Sequence, residues 1–355
     1  MKSYQGAIVG YGGMGKWHHR DLCKTDRIHF TGVFDIDPAR CALAQSDGIQ
    51  TVYPSLQVLL DDPAIDFIVC ATPNNFHKDI CIAAMRAGKH VICEKPVAMS
   101  STELREMMQV RDETGKIFTV HQNRREDRDY LIVKDTIQTG RLGEVFSIES
   151  RVTGSKGIPQ GWRQYAVAGG GMMLDWGVHL IDQLVMLFAP EKVVSVYCDL
   201  YHVAYQECDD GFKMIMKFES GKMAMVEVGT SHYIQAPRWF CFGSKGAVTV
   251  NDWNCGGKIV YAKDRVVTFE EEIIQTKAGP TKTMGPRPKD TIDEIVLNPD
   301  DFAPSDHRIY YRNFQAVLDG TAPLKVKPEE AMRVMQVMEA AFESGKTGET
   351  VHTSI

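Results

Sequence analysis

Three groups of residues in this 355-residue chain have types and spacings that could do chemistry. The first is Gly10-Tyr11-Gly12-Gly13-Met14-Gly15, which fits G-x-G-x-x-G directly after the apolar run Ala7-Ile8-Val9. A strand, a tight turn and a helix N-terminus in that order form a phosphate cradle. Gly10 permits the turn, Gly12 lets a pyrophosphate approach the backbone, and Gly15 lets helix and strand pack closely. The amides around Gly13 and Met14 and the positive end of the helix dipole serve the phosphates. Asp35 ends the second apolar run, about 20 residues further on, as the fingerprint asks. A carboxylate there accepts both adenosine-ribose hydroxyls and repels a 2′-phosphate, which favours NAD over NADP. Asp37 competes for that role, but Pro38 beside it suggests a helix cap instead. Arg40 could soften the preference by stacking near the adenine.

The second group is Asp175 and His179, i and i+4 on one helix face. A carboxylate so placed can accept the Nδ1 proton, fix the tautomer and leave Nε2 as a general base. Asp182 is a further candidate partner for that ring. The third group is Glu94-Lys95-Pro96, a charged pair emerging from the buried run His90-Val91-Ile92-Cys93. Thr72-Pro73-Asn74 holds the equivalent place after Phe67-Ile68-Val69-Cys70. Ligands of open α/β sheets bind at such strand ends. The bland alternatives are a surface ion pair, a capping Asn and an X-Pro turn.

The elements that must position these residues follow from periodicity. Apolar runs at Ala7–Val9, Ile28–Phe34, Phe67–Cys70, His90–Cys93 and Ile117–Val120 alternate with helix-like segments at Met14–Thr25, Pro38–Asp47, Phe76–Ala87 and Ser101–Thr114. That alternation predicts a doubly wound parallel sheet over residues 1–122. Ser100 with Glu103 forms a capping box, and Gly88 ends a helix. From residue 123 to 355 the period changes. Phe212, Met214, Met216 and Phe218 alternate with Lys213 and Lys217, the pattern of a half-exposed antiparallel strand. Lys222–Val228 completes one hairpin, and Trp239–Phe242 with Ala247–Val250 a second. Phe146, Ile148 and Val152 mark another strand. The second half is therefore an α+β domain on an open, mainly antiparallel sheet. Residues from about Gln275 to Pro304 read as a long excursion that could shape a pocket. Pro328 then opens a helix to residue 344, expected to pack back toward the first domain.

With that frame in place, three segments resemble the glucose–fructose oxidoreductase, inositol dehydrogenase and rhizopine-catabolism (Gfo/Idh/MocA) family. They are Ala71-Thr72-Pro73-Asn74-Asn75-Phe76-His77, Glu94-Lys95-Pro96, and the stretch Gly169-Gly170-Gly171 through Asp175-Trp176-Gly177-Val178-His179. The resemblance implies that Thr72, Asn74 and His77 line the cofactor groove. It implies that Glu94 contacts the nicotinamide ribose and Lys95 the substrate hydroxyl, with a cis peptide before Pro96. Gly161-Trp162-Arg163 and His121-Gln122-Asn123-Arg124 match segments lining the family's active site. Trp162 would stack on a sugar face or the nicotinamide, with core packing as its alternative. Arg163 and Asn123 would bind hydroxyls or the cofactor, and Gln122 the cofactor. The implied activity is NAD-dependent oxidation of a secondary hydroxyl on a sugar, glycoside or cyclitol, with Lys95, Asp175 and His179 catalytic. His179 or Lys95 is the base. A glycoside 3-dehydrogenase feeding β-elimination is a variant of this activity. A non-catalytic dinucleotide or sugar sensor is the alternative of another class.

Bulk properties exclude some functions. Hydrophobic residues are 44% and charged residues 24%, with a formal charge of −6. This gives no reason to expect nucleic-acid or anionic-membrane binding. No apolar run approaches the roughly 20 residues of a membrane span. The chain enters a strand-like stretch at once, so no secretory signal and a cytoplasmic location are expected. Nine cysteines without C-x-x-C spacing read as reduced, buried thiols, with no clustered ligands for a metal site. An open sheet with Met223 and Met225 on one side and Ala224 and Val226 on the other should pair in a homodimer or a homotetramer.

Overall fold

The computed structural model describes residues 2–263, 273–282 and 287–355. The first half runs β1 (Tyr4–Val9), α1 (Gly13–Trp17), β2 (Ile28–Phe34), α2 (Pro38–Ser46), β3 (Thr51–Val52), α3 (Leu56–Asp61), β4 (Phe67–Cys70), α4 (His77–Arg86), β5 (His90–Cys93), α5 (Ser101–Thr114) and β6 (Phe118–Val120). The six strands pair in parallel in the order β3-β2-β1-β4-β5-β6. All four residues of β4 are buried, as a strand covered on both faces requires. Strand order reverses between β1 and β4, and ligands bind at the carboxyl ends of such a switch point. The first helix is shorter than its pattern suggests. After α1 it widens into a π-helical turn, His18–Leu22. β3 and α3 are too short for periodicity to mark.

The second half holds α6 (Arg128–Gln138), β7 (Val145–Thr153), α7 (Val178–Leu187), β8 (Val193–Tyr201), β9 (Gly211–Phe218), β10 (Met223–Gly229), β11 (Trp239–Gly243), β12 (Gly246–Val250), β13 (Gly257–Ala262), β14 (Ile273–Thr276), β15 (Gly279–Lys282), β16 (Ile292–Val296), α8 (Arg308–Leu318), α9 (Pro328–Thr347) and β17 (Val351–His352). Nine strands form one sheet, ordered β16-β13-β12-β11-β7-β10-β9-β8-β17. All its pairs are antiparallel except β7 with β10. Both expected hairpins are present.

Register separates the two faces of this sheet. Val196, Met216, Ala224, Ile148, Cys241 and Val248 lie in one cross-strand row and are buried. The row on the opposite face holds Tyr197, Ile215, Met225, Glu149 and Phe240. Tyr197 there is 42% exposed. The stretch expected to be a long excursion carries regular structure. β14 and β15 form a separate hairpin, and β16 extends the large sheet. Residues 283–286 of that stretch lie outside the described residues.

α9 packs against α5, α7, β6 and β8. Its Glu339 accepts from the Ser101 amide (2.6 Å) and hydroxyl (2.7 Å) at the start of α5. Most of the thiols are buried, as expected, but three of them cluster, against the expectation from their spacing. All nine are unpaired by disulfides, but Cys70, Cys81 and Cys93 converge from β4, α4 and β5. Parallel pairing places Cys70 beside Cys93, and sequence spacing cannot show that.

Candidate active site

The groove at the switch point has a volume of about 490 Å³ and is lined by Val9, Gly10, Gly12, Asp35, Arg40 and Thr72, among others. Gly10 adopts φ +92°, a left-handed conformation suited to glycine. A Cβ on Gly15 would lie 2.1 Å from the Gly10 carbonyl oxygen, so the helix meets the strand only if this residue is glycine. The Asp35 carboxylate accepts from the Tyr11 amide (2.7 Å) and the Asp37 amide (2.8 Å). Asp37 caps α2 through the Ala39 amide. Arg40 Nη1 approaches the Tyr11 carbonyl at 3.4 Å.

Trp162 reaches over from the second half and lines both this groove and an adjoining cavity of about 250 Å³. That cavity gathers Gly13, Met14, Asn74, Glu94, Lys95 and Arg163. Two contacts tie the halves together here. Asn74 Nδ2 donates to the Gly169 carbonyl (2.8 Å), and Lys95 Nζ pairs with Asp175 Oδ1 (3.1 Å). Gly169 takes φ +79°, and a Cβ there would sit 2.7 Å from the Asn74 Cβ. The glycine run therefore lets the two halves close. The Lys95–Pro96 peptide is cis, as the resemblance implies.

Several expected roles change in three dimensions. His77 is fully buried, with Nδ1 facing the Pro96 carbonyl (2.9 Å) and Nε2 the Thr72 carbonyl (3.0 Å). It clamps the turns after β4 and β5 together and does not line the groove. Asp175 does not hold the His179 ring. Its carboxylate takes Lys95 at 3.1 Å and Arg163 at 3.0 Å. Two cations outcompete a neutral imidazole for one anion. Asp175 also lies in a π-helical turn, Met173–Gly177, so α-helical i,i+4 alignment does not carry through to His179. Asp182 is not its partner either, because Arg125 grips it with two bonds (2.6 and 2.8 Å). Gln122 is buried with Oε1 unpartnered, and Asn123 offers its carbonyl to His307. Neither lines the groove or the cavity.

The charges favour a neutral imidazole beside a cation. Burial pushes the His179 ring well below its ordinary value, and Lys95 and Arg124 reinforce the shift. Its Nδ1 is buried without a hydrogen-bond partner. Burial raises the Asp175 carboxyl, but Lys95 and Arg163 outweigh this and hold it below the usual carboxylate range. Trp176 packs edge-on to His179 and carries the Arg124 guanidinium 4.2 Å from its ring.

Sequence reasoning missed the support beneath Glu94. Its buried Oε1 accepts from His18 Nε2 and His121 Nδ1, both at 2.8 Å, and His18 Nδ1 contacts the Tyr311 hydroxyl at 2.6 Å. Against the burial penalty, the two imidazoles hold Glu94 well below its ordinary value. These partners come from three separate segments, and only His121 lies in a segment the motifs touch. Asp209 was missed as well. It accepts the Met173 amide (2.7 Å), and a Cβ on Gly171 would lie 2.3 Å from its Oδ1.

A dinucleotide fits the cradle. Nothing lies within 4 Å of a Cβ placed on Gly13, and at Gly12 only Arg40 Nη1 does, at 3.4 Å. The backbone there is open to an approaching phosphate. The fold and the site together define a nucleotide-dependent oxidoreductase. A family described as the oxidoreductase family with NAD-binding Rossmann fold matches residues 5–122, and its C-terminal domain matches residues 130–249. The chain belongs to this Gfo/Idh/MocA family. A solved NAD-binding protein from Listeria innocua is 42% identical, with 99% of this chain and 100% of that one covered and a TM-score of 0.93. The scyllo-inositol 2-dehydrogenase (NADP(+)) IolW of Bacillus subtilis is 26% identical over 356 residues, 97% of this chain and 94% of that protein. The 1,5-anhydro-D-fructose reductase of Ensifer adhaerens is 34% identical over 189 residues, 52% of this chain and 56% of that protein. Among the described residues, no helix is long and apolar enough to cross a membrane.

Proposed function

We propose that this protein oxidises a secondary hydroxyl of a sugar, glycoside or cyclitol with NAD. The carrying observation is the convergence of Lys95 from the first half with Asp175 and Arg163 from the second, beside the glycine cradle. Gly10, Gly12, Gly13, Met14 and Gly15 would hold the pyrophosphate, Asp35 the adenosine ribose, and Thr72, Asn74 and Glu94 the nicotinamide end. A nicotinamide held there would supply the hydride acceptor for the substrate carbon. His179, held neutral by its desolvated surroundings, takes the hydroxyl proton. Lys95, ion-paired to Asp175, donates to the same oxygen and stabilises developing negative charge. Arg163 and Trp162 orient the ring and its other hydroxyls. The reverse reduction uses the same groups. Relatives named as inositol dehydrogenases and a sugar reductase support this substrate class.

Asp35 supports the choice of NAD. Two backbone amides occupy part of its acceptor capacity and fix the carboxylate, leaving lone pairs for ribose hydroxyls. We also propose that the open sheet face carrying Tyr197, Ile215 and Phe240 pairs with a second copy. The test of function is NADH formation at 340 nm across a panel of inositols, sugars and glycosides, run in parallel with NADP. Turnover of none of them with either nucleotide would sink the proposal.

A further inference from the structure

The most concentrated group of soft donors in the described chain has no part in this chemistry. Cys70 ends β4 and Cys93 ends β5, and the two are register partners. Cys81 comes down from α4, which packs on both strands. The three Sγ atoms lie within 4.8 Å of one another, and each residue is 0% exposed. The nearby polar contacts are weak. Cys70 Sγ lies 3.6 Å from Thr72 Oγ1, and Cys93 Sγ lies 3.6 Å from the Val97 carbonyl. His77 is beside the cluster, but both of its ring nitrogens face backbone carbonyls. Core packing alone is met by any small apolar residue, and gives no reason for three sulfurs to meet from three elements.

We propose that Cys70, Cys81 and Cys93 form a trigonal site for Cu(I). Soft thiolates select a soft monovalent cation. Structural zinc takes four ligands, and this cluster offers three sulfurs with no imidazole or carboxylate. Metal–sulfur bonds of about 2.3 Å place trigonal sulfurs about 4 Å apart. That requires a contraction of less than about 1 Å from the 4.8 Å upper bound. Coordination releases thiol protons to solvent and leaves copper as Cu(I), so no oxidant or reductant is consumed. The ion would join the ends of β4 and β5 to α4. β4 runs directly into a turn lining the nucleotide groove, and β5 into one lining the adjoining cavity.

The test uses the full chain with Cys23→Ser and Cys41→Ser, which removes the two half-buried thiols. This parent is titrated anaerobically against the Cu(I)–bicinchoninate complex. One copper per chain should transfer, with a sulfur-to-copper charge-transfer band in the ultraviolet. Cys81→Ser, and separately Cys81→Ala, should weaken binding by about 100-fold or more, since even outer-shell changes cost 10–100-fold. Near-ultraviolet circular dichroism shows whether those variants keep the fold. If they do not, X-ray absorption on the loaded parent decides, with three sulfur neighbours expected. Failure of the parent to take copper from bicinchoninate would overturn the site. So would undiminished binding in a folded Cys81 variant, or a nitrogen- or oxygen-dominated shell.

Discussion

Replacing Asp175 with Asn should disturb Lys95 and Arg163, leaving the imidazole in place. The carboxylate sits 3.1 Å from Lys95 Nζ and 3.0 Å from Arg163 Nε, with side-chain exposures of 12%, 11% and 28% for Asp175, Lys95 and Arg163. At an effective dielectric near 20, unit charges at that distance attract by about 5 kcal/mol before desolvation is counted. Breaking a fully buried pair costs about 3–5 kcal/mol, because the remaining charge is stranded. Here Arg163 keeps some solvent and Asn keeps one acceptor oxygen. A loss of about 1–3 kcal/mol of stability is therefore expected. A double-mutant cycle separates the two candidate partners. Asp175→Asn with Lys95→Met should show a coupling of about 1–2 kcal/mol, and Asp175→Asn with His179→Ala less than about 0.5. Urea unfolding followed by tryptophan fluorescence supplies each corner of both cycles. Coupling larger to His179 than to Lys95 would refute the assignment and restore the carboxylate to the imidazole.

His179→Ala should lower kcat/KM by about 10²–10⁴-fold while leaving the NADH Kd within about twofold. In the wild type the acidic limb of kcat/KM should lie well below pH 6.5, since burial and Lys95 depress the ring. A limb that persists unchanged in His179→Ala but vanishes in Lys95→Ala would make Lys95 the base. Asp35→Ala should weaken NAD binding and narrow the NAD-to-NADP ratio of kcat/KM, and comparable wild-type values for both nucleotides would refute the preference. Burial raises Asp209 to about 7 against the amides that bond it. A raised acid binds more protons folded than unfolded, so its contribution falls as pH rises from 3.8 to about 7. Asp209→Asn should therefore gain on the wild type by on the order of 3 kcal/mol between about pH 5 and pH 8, read by thermal melts. Parallel melts at both pH values would refute this. Tyr197→Glu on the open sheet face should turn an associated species into monomers by light scattering, and a wild type already monomeric at micromolar concentration would refute the pairing.

Local pattern alone determined a large part of this protein. The glycine turn, the capping of α2 and α5, the alternation in β9 and both hairpins depend on residues within a few positions of one another. Propensity and period act over that range. Strand ends are equally legible, so the sequence alone puts Thr72, Asn74, Glu94 and Lys95 at the carboxyl edge of the parallel sheet. What the sequence could not decide was which charge meets which. Asp175 and His179 look like a pair along the helix, yet the carboxylate turns to Lys95, some 80 residues earlier in the chain, and to Arg163. Glu94 depends on His18 and His121, and Asp209 anchors the turn that carries Asp175. Three thiols with no shared motif meet because two parallel strands and one helix bring them together. A buried polar or charged group binds whatever partner the packing brings within about 3 Å, and long-range closure sets those distances.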